Sequence, residues 1–336
     1  MTRKERIKQS LAHKNSDIVP YNITFTVPAA DKLKTHFNDL DFEETLGNHL
    51  FSVDALCGDK IIKPGYRQDD FGVIWNQTID KDIGVVEELI LKEPSLKGLK
   101  LPDPKASWRY SGFAKGLEKH KDRFLLSDIG FSLFERAWTL RGMENLLVDM
   151  YENPGFVSDL LDVITEFNLA VIEESSKFPI DGMRFGDDWG QQSGLIMGPD
   201  LWRQFIRPRV NKMYSKVKES GLKVFIHSCG DVEELFPDLI ECGLDVFNPF
   251  QPEAYDIYKI KNLHGAKLSF YGGMSTQKIL PFGTPEDVRK ETIKLLKAIG
   301  KDGGYIFSPA HATPADVPLE NMLAMIEVVT HQEKYL

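Results

Sequence analysis

Cysteine is scarce: Cys57, Cys229 and Cys242 are the only three in 336 residues. An odd count argues against a disulfide framework and leaves each thiol as packing, ligand or nucleophile. Long apolar runs are missing too. No stretch approaches the ~18 consecutive apolar residues of a membrane span, and the start, MTRKERIKQSLAHKN, is charged, so a cytoplasmic protein is expected. Dense basic blocks are absent. The 41 Lys and Arg are outnumbered by 50 Asp and Glu, a net charge of −9, so neither nucleic acid nor an anionic membrane is an expected partner. There is no GxGxxG, Walker A or GxSxG motif, which removes support for phosphate cradling and nucleophile-elbow hydrolysis. No internal repeat, linker or block of like charges marks a domain boundary.

What is present is an ordinary globular composition, 42% hydrophobic and 27% charged, enough to build a full core. Short β-branched or aromatic runs alternate with longer amphipathic ones, the pattern of βα units around a parallel sheet. Candidate strands fall at 19–25, 53–56, 124–129, 182–185, 223–227, 245–249, 267–271 and 305–308. Helical spacing follows at about 199–220, 232–242, 255–263, 285–299 and 319–329. Eight strands with intervening helices predict an α/β fold, a (β/α)8 TIM barrel. An opening helix at 2–13 is expected outside the barrel, across its N-terminal end, and the irregular region 70–110 reads as an insertion.

In such a barrel, residues just past the strand C-termini converge on one pocket. That rule selects Asp128, Asp187, Asp188, His227, Cys229, Asp231, Asn248, Gln251, Gly272, Gly273 and His311. The sharpest local feature is the apolar strand ending in His227-Ser228-Cys229-Gly230. At period two His227 and Cys229 project to the same side, so an imidazole and a thiolate could reach one metal ion. His311 in the last strand's loop, with a carboxylate or water as fourth ligand, completes a candidate open Zn²⁺ site. Asp187 and Asp188 are candidate acid–base residues, with Arg184 nearby and Trp189 adjacent. Being sequence neighbours, they point to opposite sides of an extended chain. Asn248 and Gln251 suit orientation of a bound group, and Gly272-Gly273 could admit a close planar ligand. Cys242, before Gly243 at a helix end, reads as packing. Cys57, after the second strand, could face the pocket but ranks below Cys229.

These segments together resemble the uroporphyrinogen decarboxylase superfamily, which holds the decarboxylase and zinc-dependent methyltransferases that exchange methyl groups with corrinoid proteins. The resemblance is carried by Trp138–Leu147, Gly186–Gly190 leading to Trp202–Pro208, the His227–Asp231 turn, and Ser308–Pro318 with Leu319-Glu320-Asn321. It implies a single (β/α)8 barrel over residues 1–336 with its site at the C-terminal face. In the decarboxylase, an arginine-rich segment after the first strand grips the tetrapyrrole carboxylates; here Tyr21–Pro28 has no arginine. The decarboxylase also lacks the His-x-Cys pair. Both differences point to the methyltransferase-like branch. There, His and Cys bind zinc with a cysteine from the last loop, and this chain has His311 at the matching position. The site is then either a two-nitrogen, one-sulfur set, or His311 serves substrate binding.

The leading expectation is therefore a zinc-dependent methyltransferase whose Zn²⁺, on His227, Cys229 and His311, activates a thiol acceptor or a methyl donor. Asp187 or Asp188 is expected as fourth ligand or proton carrier, and Asp128, Arg184, Asn248, Gln251, Gly272 and Gly273 as substrate contacts. The cobalamin would arrive on a separate corrinoid protein. The rivals are cofactor-free decarboxylation of a tetrapyrrole or small carboxylate, and a barrel that binds a tetrapyrrole or other small ligand without turnover.

Overall fold

The computed structural model describes residues 1–55, 58–79 and 83–336. Cys57 and the end of the strand expected at 53–56 lie outside them. Seven parallel strands form the main sheet: β1 (Leu50–Asp54), β6 (Phe124–Ile129), β7 (Gly182–Gly186), β10 (Lys223–His227), β11 (Val246–Phe250), β12 (Ser269–Met274) and β13 (Tyr305–Pro309), side by side in that order. β11 and β13 are buried at every residue, as parallel strands covered on both faces must be.

The strand expected at 19–25 is not a regular ladder member; it touches β13 through isolated parallel bridges, Tyr21 to Phe307 and Phe25 to Thr313. The Asn22 N–H donates to the Phe307 carbonyl at 2.9 Å, and the Phe307 N–H to that of Pro20 at 2.8 Å. On its other side the His49 N–H donates to the Tyr21 carbonyl at 3.0 Å, and side chains supplement this single backbone bond. Asn48 Oδ1 accepts from the Ile23 N–H and its Nδ2 donates to the Ile23 carbonyl, both at 2.8 Å. This segment closes the curled sheet into a TIM-barrel-like fold.

The helix Arg3–Leu11 starts with a capping box between Thr2 and Glu5. Its Ile7 and Leu11 enter an apolar cluster with Leu50, Phe124, Leu126, Phe225, Val246 and Ile306, residues near the strand starts, so the helix plugs the N-terminal end of the barrel. The outer helices include Gly198–Leu201, a π turn over Trp202–Ile206, and Arg207–Glu219. Pro208 offers no N–H to an α-helical bond, consistent with a local widening of the ring there.

The insertion starts earlier than expected and is ordered. β2 (Lys60–Lys63), β3 (Tyr66–Gln68), β4 (Ile74–Asn76) and β5 (Val85–Glu88) form an antiparallel sheet in sequence order. Strands of three or four residues are too short to show alternation in sequence. Phe71, Val73, Trp75 and Leu91 join the main apolar cluster with Phe185 and Val224, so the inserted sheet shares the barrel's core. A small hairpin, β8 (Gly190–Gln191) and β9 (Gly194–Leu195), follows β7.

Candidate metal centre and active-site cleft

His227 is the last residue of β10 and pairs in register with Asn248 of β11. Asn248 Oδ1 lies 2.7 Å from His227 Nδ1, while its Nδ2 donates to the Tyr271 carbonyl at 2.9 Å. An amide oxygen facing Nδ1 requires the proton there, which leaves the Nε2 lone pair free to coordinate. Nε2 points at Cys229 Sγ, 3.4 Å away. The His311 ring, in the loop after β13, stands edge-on to His227 with centroids 5.6 Å apart. One donor atom from each of His227, Cys229 and His311 lies within 4.8 Å of the others. Two imidazoles and one thiol suit Zn²⁺ with a fourth position open, so the residues present fit the ion.

The turn carrying Cys229 is fixed from outside. The Cys229 N–H donates to Asp188 Oδ1 at 2.8 Å, and the Gly230 N–H to Gln251 Oε1 at 2.9 Å. Burial pushes the Cys229 thiol up, with Asp188 and Glu135 adding to the shift. Asp188 and Gln251 thus hold the backbone of this turn, and Asp188 also lies beside the Cys229 thiol.

Asp187 departs from its expected role. It is 1% exposed and faces the helix Phe134–Arg141, whose first N–H groups it binds: Leu133 at 3.2 Å, Phe134 at 3.1 Å and Glu135 at 2.8 Å. Trp189 Nε1 donates a fourth bond at 2.5 Å. Burial pushes its carboxyl up to about 6 against these donors, which favour the charged form. Gly272 and Gly273 lie inside β12, not on the cleft. At φ +140° and +106°, a Cβ would meet the Phe250 nitrogen at 2.6 Å and the Tyr305 hydroxyl at 2.5 Å. Their smallness serves strand packing, not ligand approach.

The cleft, about 460 Å³, is lined by Asp54, Asp128, Arg184, His227, Asn248, Tyr271 and His311 among others. Arg184 is ion-paired with Asp128. Asp54 was not selected from sequence. Read inside a strand at 53–56, it in fact ends β1, directly opposite Asp128. Asp54 is exposed within the cleft, and the surrounding protein, with Asp128 adding, pushes its carboxyl up to about 6. Glu135 was missed as well, because it lies beyond the strand end, at the start of a helix. Burial, Asp187 and Asp188 push it up to about 9. Cys242 is buried, 4% exposed, with its thiol raised to about 11 chiefly by burial, in keeping with packing.

Residues 85–332 match the family model for uroporphyrinogen decarboxylase (URO-D). The uroporphyrinogen decarboxylase of Chlorobaculum tepidum is 24% identical over 187 residues, 54% of this chain and 51% of that protein. The methylated-thiol–coenzyme M methyltransferase of Methanosarcina mazei is 23% identical over 193 residues, 57% of this chain and 49% of that protein. The chain thus spans about half the length of these curated relatives. A solved methyltransferase from Methanosarcina mazei covers 100% of both chains with a TM-score of 0.71 at 18% identity, a likeness of fold. With a family match over most of its length and the barrel that goes with it, the chain belongs to the uroporphyrinogen decarboxylase family.

Proposed function

We propose that the protein is a zinc-dependent methyltransferase that exchanges a methyl group with a corrinoid (methylcobalamin) protein. The observation that carries this reading is the meeting of His227, Cys229 and His311 donors within 4.8 Å, with Asn248 fixing the His227 tautomer. The chemistry zinc supplies in such a site is activation of a thiol or of a methylated heteroatom. The chain's own residues hold that site. Asn248 orients the His227 ring, Asp188 and Gln251 set the Cys229 turn, and Asp187 anchors the helix beside it. Arg184, Asp128 and Asp54 form the adjoining wall where a substrate would lie.

Charge in the cleft supports methyl transfer over tetrapyrrole decarboxylation. A polycarboxylate needs unpaired cations, yet Arg184 is spent on Asp128 with Asp54 beside it. A second reading, decarboxylation of a small carboxylate, draws on Asp54. With its carboxyl raised to about 6, it can carry a proton near neutral pH.

Metal analysis after purification without chelator tests the leading reading. About one zinc per chain is expected, lost in Cys229→Ala and His227→Ala and kept in His311→Cys, which restores a thiolate at that position. Protein without zinc that decarboxylates a small acid in an Asp54-dependent manner would establish the second reading instead.

A further inference from the structure

A second chamber of about 460 Å³ opens off the cleft and shares Asp54, Asp128, Ile129 and Gly130 with it. That volume falls within the ~300–1,000 Å³ of small-molecule sites. Its wall is aromatic and assembled from four places in the chain. Phe71 follows β3, Trp75 lies on β4, Phe131 follows β6, and Phe167 belongs to the helix Pro154–Ser175. The rings brace one another edge-on, Phe71 with Phe167 at 5.0 Å and Trp75 with Phe131 at 5.3 Å between centroids. Phe131 has φ +47°, a left-handed backbone that aromatic residues rarely adopt and that persists only where the surroundings impose it.

Three arginines also line the chamber, and each has a carboxylate partner. Arg67 pairs with Asp59 at 2.9 Å, Arg136 with Asp69 at 2.8 Å, and Arg109 with Asp70. Arg136 further lies over the Phe71 ring, 4.2 Å from its centroid. The arginines are thus neutralised in place and contribute flat surface rather than free charge. A chamber with aromatic walls, paired arginines and the further carboxylates of Asp54 and Asp128 disfavours an anion and suits an uncharged ring.

We propose that this chamber binds the uncharged aromatic body of the substrate, with the methylated heteroatom reaching across Asp54 and Asp128 to the His227, Cys229 and His311 donors. The substrate class is an uncharged aryl methyl ether or thioether; the placement of its methyl end rests on the methyltransferase reading, whereas binding of the ring does not.

Calorimetric titration of the whole protein with 2-methoxyphenol, 4-methoxybenzoate and methanol tests this without turnover. The expected result is binding of 2-methoxyphenol at least about tenfold tighter than either of the others. Phe131→Gly removes the ring while accepting the local φ, and should weaken 2-methoxyphenol about tenfold with the fold and metal content retained at a lower melting temperature. Phe71→Leu, which keeps an apolar side chain, should weaken it in the same direction. Equal affinity for the benzoate, or unchanged affinity in both variants, overturns the chamber assignment. Ring binding without any methyl transfer or zinc would overturn the methyltransferase reading alone. Methyl transfer from methanol by protein that does not bind 2-methoxyphenol would overturn the chamber alone.

Discussion

His49 lies between the Arg6 guanidinium, 3.4 Å from its Nε2, and the Tyr21 carbonyl, 3.2 Å from its Nδ1. Those partners define a neutral ring that donates from Nδ1 and accepts at Nε2. Burial, with Arg6 adding, lowers its pKa to about 3. A folded-state pKa below the unfolded value of 6.5 means that the unfolded chain binds the extra proton first. His49 therefore favours folding fully above pH 6.5 and loses that contribution as pH falls toward 3, by up to ~1.4 kcal/mol per pH unit. Urea denaturation at pH 7 and pH 5 should show a drop in wild-type stability that is smaller by about 2 kcal/mol in His49→Gln; equal drops would refute the assignment. At this scale the sequence made the His227–Cys229 pair legible, because period-two geometry is local. Asp54 was not legible, since its place at a strand end depends on register with Asp128.

The helix Phe134–Arg141 begins without a side-chain cap from its own N-cap residue, Leu133. Asp187, arriving from the end of β7, supplies that function across more than fifty residues of sequence. A carboxylate at a helix N-terminus also complements the helix dipole. Asp187→Ala should therefore cost at least ~2 kcal/mol, since it strands buried donors as well as removing a cap. Denaturant unfolding measures this, and Asp187→Asn should fall between the two because its amide keeps one accepting oxygen. A loss below 0.5 kcal/mol, the bottom of the range for an ordinary cap, would show that the bonds do not matter to folding. Helices with local signals were legible: Thr284 and Asp287 form a capping box, and Pro285 opens the helix Pro285–Ala298. A cap supplied from another strand has no local signature, and the adjacent acids suggested chemistry instead.

The barrel is continuous only because residues 20–25 fill its last gap. Since Asn48 bonds both the N–H and the carbonyl of Ile23, and Asn22 Oδ1 accepts from the Leu50 N–H at 3.3 Å, the seam is held by amide side chains as much as by backbone. Asn48→Ala should destabilise the protein by about 1–3 kcal/mol and speed amide hydrogen exchange of residues 22–26 relative to β11. Unchanged protection of that segment would mean that the remaining bonds to β13, His49 and Leu50 hold it without the Asn48 amide. The whole-molecule charge also acquires a local meaning. The net −9 coexists with cavities whose arginines are paired with aspartates, so the excess acid is not matched by a free cationic pocket. Among the described residues, no helix is long and apolar enough to cross a membrane.

By itself the sequence determined the alternation of strand and helix that suits a barrel, and the His-x-Cys turn, because each follows from local periodicity or from short spacing. Only the tertiary structure decided that His311 meets that turn, that Asp187 serves a helix, that Gly272 and Gly273 serve packing, and that the short inserted strands build an aromatic chamber. These depend on contacts between residues far apart in the chain, and such contacts are set by register and close packing, which no local pattern encodes.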